Sequence, residues 1–253
     1  MPAATLARFV LLEALRSGLP WLALAGVVLT VGLAAFLSEV AVSETRLLQT
    51  AVVAAALRAG AVFLVVAHVA SSTLREINDK GLELMLALPL RRSTHYLGRL
   101  AGYALCGVAL AAAFSLPLLA WASPGAVALW GLSLACEAAL AAAAALFFSM
   151  TIAQLVPAMA ATLGLYLLGR TIATLQAIAA GPLAEPSLAA SLQRFAVDAI
   201  ALVLPRLDAV TRSEWLLYGG PSGAAYAGSL AGLALYAALL TAAGLFDFHR
   251  RSA

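Results

Sequence analysis

Charged residues are scarce in this chain. Of its 253 residues, 11% are charged and 64% are apolar, whereas a soluble domain has about 25% charged and about 45–50% apolar residues. A soluble protein of this size would lack the polar surface to cover itself, so the scarcity of charge excludes an ordinary soluble enzyme. The mean hydropathy of +0.99 agrees. The composition therefore predicts an integral membrane protein.

Lysine and cysteine are also rare. Lys80 is the single lysine and the net charge is +3, so the sequence has no basic stripe of the kind that binds nucleic acid. Cys106 and Cys136 lie in apolar runs without CxxC spacing, which favours buried core side chains over a redox or metal site. The three histidines have no metal-ligand spacing, and we expect no metal site.

Sequence motifs of catalysis are missing. The chain has no HExxH, no GxSxG and no phosphate-binding loop. Without such a loop it is not expected to hydrolyse ATP by itself. We predict that the chain is not an enzyme and that it binds no cofactor of its own.

Long apolar runs are abundant by contrast. A helical crossing of a bilayer needs about 20 residues, and six runs reach that length. They cover residues 19–37, 47–70, 100–121, 126–150, 155–179 and 222–246. Little of the chain remains for a soluble part, so the sequence predicts a single all-α domain over residues 1–253 with six transmembrane helices.

The placement of arginine and lysine predicts the orientation. One set of termini and connecting segments holds nine basic and five acidic residues, and the other holds four basic and six acidic residues. Because short cytoplasmic loops carry an excess of positive charge, both termini are predicted to be cytoplasmic. We expect a multi-pass protein of a bacterial inner, or plasma, membrane.

Three segments outside these runs have amphipathic or capping patterns. Leu6, Phe9 and Val10 share one face of a short helix in the cytoplasmic interface before the first span. Residues 75–88 form a second amphipathic helix, about 21 Å long and too short to cross. Between the fifth and sixth spans, residues 187–204 and 211–218 predict two short outer helices, with Pro205 ending the first.

Two ionisable residues fall near the middle of predicted spans, Arg58 in the second and Glu137 in the fourth. Each costs several kcal/mol in lipid unless it is paired or hydrated. Their similar depth makes an ion pair possible. Two interpretations remain open, a structural pair that fixes helix packing and a polar patch that lines a substrate path. Arg170, nearer the outer end of the fifth span, is expected to extend to the outer interface.

Two GxxxG patterns occur, one at Gly98 and Gly102 and one at Gly228 and Gly232. This spacing lets two helix backbones approach closely in a bilayer. In a chain so rich in alanine and glycine, the patterns fit packing within the chain at least as well as dimerisation.

The stretch from Arg75 to Arg99 resembles the cytoplasmic segment between the second and third spans of type 2 ABC transporter permeases. That family shows an acidic residue, then Gly-Thr-Leu-Glu, a short apolar run, Pro and a basic residue. The matching residues here are Glu76, Gly81, Glu83, Pro89, Arg91 and Arg99. Leu82 stands where threonine is common, and Arg99 stands where lysine is common. The match covers about 25 residues of motif.

The resemblance implies that residues 75–88 contain a coupling helix that docks on a separate ATPase subunit. The residues it would assign to coupling are Arg75, Glu76, Asp79, Lys80, Gly81, Glu83, Pro89 and Arg91. It also implies that ATP and Mg are bound by that ATPase subunit, that the permease pairs with a copy of itself or a related permease, and that transport is by export. It leaves the substrate open.

Two other functions compete with a permease. One is a membrane scaffold or assembly factor that transports nothing, in which Arg58 and Glu137 would be only structural. The other is a proton-driven secondary transporter with Glu137 as the carrier, which six spans without an inverted repeat make less favourable.

Overall fold

A computed structural model describes residues 2–40, 45–79, 91–181, 188–211, 215–218 and 223–250. The regular secondary structure of these residues is entirely helical. The α-helices are α1 (Pro2–Arg16), α2 (Leu19–Val40), α3 (Thr45–Asn78), α4 (Arg92–Ser115), α5 (Pro124–Ile152), α6 (Leu155–Ala179), α7 (Leu188–Val203), α8 (Trp215–Tyr218) and α9 (Gly223–Arg250). Short 3₁₀ turns cover Leu116–Ala120 and Leu207–Ala209.

Six of the described helices are long and apolar enough to cross a membrane, namely α2, α3, α4, α5, α6 and α9. Each covers most or all of one of the six apolar runs of the sequence. The all-helical architecture with six spans therefore agrees with the prediction. The chain is a multi-pass membrane protein in its fold.

Helices α3 and α5 form the centre of the bundle. More than half of the residues in their most apolar stretches are buried, against fewer than one in five in α2 and α9. Alanines from Ala138 to Ala145 fill much of the buried surface of α5. Their small side chains let neighbouring helices come close, as where Gly107 of α4 meets Ala138.

Helix α1 lies along the first half of α4. A Cβ atom added at Gly98 would lie 3.0 Å from the carbonyl oxygen of Ala3, and one at Gly102 would lie 2.6 Å from Cβ of Val10. Helix α1 therefore packs against the first GxxxG pattern, so this pattern serves packing within the chain. At Gly228 and Gly232, apart from the neighbouring residues and backbone of their own helix, no atom of the described residues lies within 4 Å of an added Cβ.

Two span helices extend well beyond their apolar runs at the end of the bundle where α1 lies, which we call the α1 end. Helix α3 continues to Asn78, whereas the apolar run ends at residue 70, and α4 begins at Arg92 rather than at residue 100. At 1.5 Å per residue α3 is about 51 Å long, more than the hydrocarbon core. Polar residues of α3 and α4 thus share one level beyond the apolar part.

Specific residues end the helices. The Ser123 side chain accepts a hydrogen bond from the backbone N–H of Ala126 at 3.4 Å, and Pro124 follows it, which starts α5. Ala153 has a left-handed backbone with φ of 54°, which ends α5 and turns the chain into α6. Helix α7 ends at Val203, two residues before Pro205.

The segment after α7 packs into the bundle. Pro205, Leu207 and Val210 are buried, and a Cβ atom at Gly169 of α6 would lie only 2.7 Å from the Pro205 carbonyl oxygen. The chain therefore crosses α6 in close backbone contact. Residues 212–214 and 219–222, which include part of the second predicted outer helix, lie outside the described residues.

Candidate functional site

The centre of the bundle holds a fully buried ion pair. Nη1 of Arg58 on α3 donates to Oε2 of Glu137 on α5 at 2.5 Å, and both side chains have no exposed surface. Nη2 of Arg58 donates to Oγ of Ser133 at 3.0 Å. The structure therefore brings together the two intramembrane charges that the sequence singled out.

Three residues of α5 meet the Arg58 guanidinium on successive turns. Trp130, Ser133 and Glu137 are spaced three and then four residues apart, which places them on one face of a helix. The guanidinium carbon lies 4.9 Å from the centroid of the Trp130 ring, a cation–π contact. Hence α5 offers Arg58 a carboxylate, a hydroxyl and an aromatic face.

Hydrogen bonding in this cluster is incomplete among the described residues. Three buried atoms find no hydrogen-bond partner at normal distances among the described residues: Nε of Arg58, Oε1 of Glu137 and Nε1 of Trp130. Bringing two charges out of water is costly, and their attraction offsets that cost only with good geometry and further hydrogen bonds. The pair neutralises both charges, and the bond from Arg58 to Ser133 adds a further hydrogen bond to the ion pair.

Helix α6 adds two polar residues next to this pair. Nη1 of Arg170 donates to the hydroxyl of Tyr166, one turn earlier, at 2.8 Å. That hydroxyl is also within hydrogen-bonding reach of the Glu137 carboxylate. The Arg170 guanidinium therefore has a partner within its own helix, and its extension to the outer interface stays a prediction.

A second polar cluster lies at the α1 end. Glu13 of α1 forms an ion pair with Arg75 and accepts a hydrogen bond from Ser72 at 2.9 Å. Ser72 in turn accepts from the Tyr103 hydroxyl of α4 at 3.0 Å. These contacts fasten α1, α3 and α4 to one another at the level of the last turns of α3.

Glu76 and Arg99 form the inner half of this cluster. Their side chains make an ion pair and are 17% and 6% exposed, and Nη2 of Arg99 also donates to the Tyr103 hydroxyl at 2.5 Å. Nε2 of His95 lies 3.9 Å from Oε1 of Glu76, and its ring stacks on Phe248 of α9. Glu76 therefore faces inwards and already has a partner within the chain.

The residues proposed for coupling are only partly covered by the structure. Arg75 and Glu76 belong to the last turn of α3, so no separate helix begins at Arg75, and the exposed Asp79 follows that turn. Arg91 is exposed and its carbonyl oxygen accepts from the N–H groups of Thr94 and His95 at the start of α4. Lys80, Gly81, Glu83 and Pro89 lie outside the described residues.

Several residues of these clusters were not singled out from the sequence. Ser72, Tyr103, Ser133 and Tyr166 carry no charge at neutral pH, and such residues are common in membrane helices. For Ser133 a usable signal existed, because it lies four residues before Glu137 and so on the same helix face. For Ser72 and Tyr103 the signal would have required knowing that α3 and α4 extend past the apolar runs.

In the part of the chain that the structure describes, no group of three or more His, Cys, Asp or Glu side chains is placed to hold a metal ion. The chemistry of both clusters is that of charge pairing and hydrogen bonding between helices.

Comparison of the sequence with protein-family models and with curated proteins gives no match.

Proposed function

We propose that the chain is the membrane-spanning permease subunit of an ABC transporter, which moves a substrate with energy from ATP hydrolysed by a separate subunit. The observation that carries the proposal is the position of the motif from Arg75 to Arg99 among the six helices. It joins the second and third of six span-length helices, α3 and α4. Its first and last residues are ion-paired to other helices of the bundle.

The α1 end is the cytoplasmic end in this proposal. Its helix termini and connecting segments carry the excess of basic residues, which favours the cytoplasm. Both chain termini would be cytoplasmic, in a bacterial inner membrane. Residues 75–91 would then face the compartment that holds ATP, and helix α7 would lie on the outer side.

The α1-end cluster suggests how motion would pass into the bundle. Residues 80–90 follow directly on the last turn of α3, where Arg75 binds Glu13 of α1 and Glu76 binds Arg99 of α4. A displacement of that segment by an ATPase subunit would pull on three helices at once. The ATPase would bind ATP and Mg, and this chain would act with a second permease, either a copy of itself or a related chain.

Among the coupling residues, Asp79 and Glu83 are the better candidates for contact with the ATPase. Asp79 is exposed, whereas Glu76 already pairs with Arg99. Reversing Glu76 would therefore damage the bundle as well as the docking face. A test of docking should leave Glu76 unchanged.

The experiment begins with the tagged chain, purified from its own membranes in mild detergent, and mass spectrometry of the proteins that accompany it. A subunit with a phosphate-binding loop is expected. The complex is then reconstituted, and the rate of ATP hydrolysis is compared between the wild type, Asp79→Lys with Glu83→Lys, and a control with Glu44→Lys and Glu185→Lys on the predicted outer side. Exposed ion pairs contribute about 0–1 kcal/mol each, so only the double reversal at residues 79 and 83 should weaken association and hydrolysis, by severalfold.

Two results would contradict the proposal. One is the absence of any ATPase subunit from repeated preparations of the intact chain. The other is equal hydrolysis by the two reversed variants, which would remove this segment from coupling.

A membrane scaffold or assembly factor is the second candidate. It is favoured by the closed geometry of the central pair, in which Arg58 and Glu137 already neutralise one another. A scaffold would accompany proteins other than an ATPase in the same purification.

A further inference from the structure

A depression lies between α1 and the last turn of α3. Its lining combines two arginines and a glutamate with exposed apolar side chains, namely Arg16, Arg75, Glu13, Phe9 and Leu12. Its volume of about 390 Å³ is in the range of sites that hold small ligands. The depression is therefore large enough for a ligand that has a charged part and an apolar part.

The charged groups of this depression leave one guanidinium without a partner. Glu13 forms its ion pair with Arg75. Arg16 is exposed, and among the described residues its guanidinium makes no ion pair or hydrogen bond. The lining thus carries one positive charge in excess. A ligand group with one negative charge would balance it, whereas an ammonium group would add to the excess.

Acidic residues next to this depression lie on its outer side. Glu76 and Asp79 line an adjoining depression towards the end of α3. Glu76 is paired with Arg99. Asp79 follows the last turn of α3, so it lies farther from the apolar part of the bundle than Arg75 does. The excess of positive charge is therefore on the inner side, at Arg16.

The position of Arg16 along the bundle favours an anion as the ligand. Val10 of α1 meets Gly102 of α4. About one turn later, Ala14 borders a groove together with Cys106, so α1 runs beside α4 towards the middle of the bundle. Cys106 is six residues inside the apolar run of α4, a rise of about 9 Å. A guanidinium beside an apolar run is unfavourable unless it reaches the headgroup region or an anion.

We propose that this depression binds the headgroup of an anionic phospholipid, whose phosphate accepts hydrogen bonds from Arg16 and Arg75 while Phe9 and Leu12 contact its apolar part. A guanidinium presents parallel N–H donors that match the oxygens of a phosphate. Side chains of an α-helix tilt towards its N-terminus, so Arg16 extends from α1 in the direction of the headgroups. The phosphodiester supplies the one negative charge that the lining lacks. This inference rests on the membrane-spanning fold and not on the proposed transport function.

The first test measures which lipid stays bound to the purified chain. The intact chain in mild detergent is titrated with phosphatidylglycerol or with phosphatidylethanolamine of identical acyl chains, and bound lipid is counted by native mass spectrometry. The wild type should bind phosphatidylglycerol more tightly. Arg16→Gln should weaken that binding by about fivefold, the usual contribution of one basic residue at an anionic membrane surface.

The matched control is Arg8→Gln. Arg8 is also an exposed arginine of α1 without a partner among the described residues, but it does not line the depression, so its removal should leave lipid binding unchanged. An equal loss in the two variants would overturn the proposal, because it would report a general attraction of basic residues to anionic lipid. Equal binding of the two lipids by the wild type, a comparison that needs no variant, would overturn it as well.

A third variant should change the affinity in the opposite direction. Glu13→Gln keeps an acceptor for Ser72 but removes the carboxylate that pairs with Arg75. The lining gains a second positive charge in excess and Arg75 is released for the phosphate, so phosphatidylglycerol binding should tighten severalfold. The gain should shrink at high salt, because the charges are screened. Unchanged or weaker binding by a variant that still unfolds cooperatively would overturn the proposal.

Discussion

Two ion-paired clusters lie in one bundle and differ in their surroundings. The central pair of Arg58 and Glu137 is fully buried between the two innermost helices. The α1-end cluster includes a pair of Glu13 and Arg75 whose side chains are 20% and 62% exposed. Both use the same chemistry, a guanidinium and a carboxylate. The difference in burial gives them different consequences.

Burial makes the central pair costly to break, because removal of one partner leaves a charge without water or counter-ion. Exposure makes the Glu13–Arg75 pair weak, because water and salt screen it. The α1-end cluster makes up for this weak pair with further contacts, which come from Ser72, Tyr103, Glu76 and Arg99. The centre thus depends on a single ion pair, and the α1 end on two ion pairs and the hydrogen bonds that join them.

The largest effect is expected from breaking the central pair. Arg58→Leu or Glu137→Leu should each lower the free energy of unfolding by about 3–5 kcal/mol, because the remaining charge is buried alone. The double substitution should recover much of that loss. Thermal unfolding in detergent measures both, and Arg91→Leu, at an exposed site, is the control. Additive losses in the double variant would show that the two residues are not partners.

The same double variant separates the two roles left open for this pair. If it folds and supports transport by the reconstituted complex, the pair is structural. If it folds and transports nothing, Arg58 and Glu137 contribute to the substrate path.

An intermediate loss of stability is expected where α1 packs against Gly98 and Gly102. Gly102→Leu places a side chain against Val10, where even a Cβ would be only 2.6 Å away, so α1 must shift. Overpacking of this kind costs about 1–3 kcal/mol. Gly232→Leu is the matched control, because Gly232 belongs to the other GxxxG pattern and a Cβ there meets no atom of another described helix within 4 Å. Spin-label distances between α1 and α4 should lengthen only in the first variant, and equal distances in both would contradict the packing described.

The smallest effect is expected from Glu13→Gln. The variant keeps the size of the side chain and removes the charge that faces Arg75. An exposed pair contributes about 0.2–1 kcal/mol, and the loss should shrink further at high salt because the charges are screened. Unfolding measured at low and high salt checks this. A loss as large as that of Glu137→Leu would show that α1 is fastened by this pair alone.

The six spans could be predicted because a bilayer requires about 20 consecutive apolar residues, and that requirement is visible in the sequence. The helix ends could not. Ser72 and Arg75 lie beyond the apolar run but within α3, where Glu13 and Tyr103 bind them from other helices. Hydropathy reports contact with lipid, whereas a helix continues wherever its polar side chains find partners.

The central site could be predicted in part. Arg58 and Glu137 stand out because charges in apolar runs are rare and costly. The wall that the segment after α7 forms beside them could not be foreseen, since Pro205 and Leu207 come from far along the chain and fold back against Gly169. The pairing of Gly98 and Gly102 with α1 has the same cause, because the spacing predicts a close partner without saying which helix provides it.

The separation of Arg58 and Glu137 along the chain has a consequence for biosynthesis. Glu137 is synthesised 79 residues after Arg58, which at about 5–20 residues per second is a delay of about 4–16 s. An arginine at the centre of an inserting helix costs about 2.5–3.5 kcal/mol, and during that delay no carboxylate from α5 offsets it. The apolar residues of α3 must therefore offset the cost of inserting Arg58 by themselves. Its most apolar stretch, with a mean hydropathy of 2.1, is suited to hold Arg58 in place until its partner helix arrives.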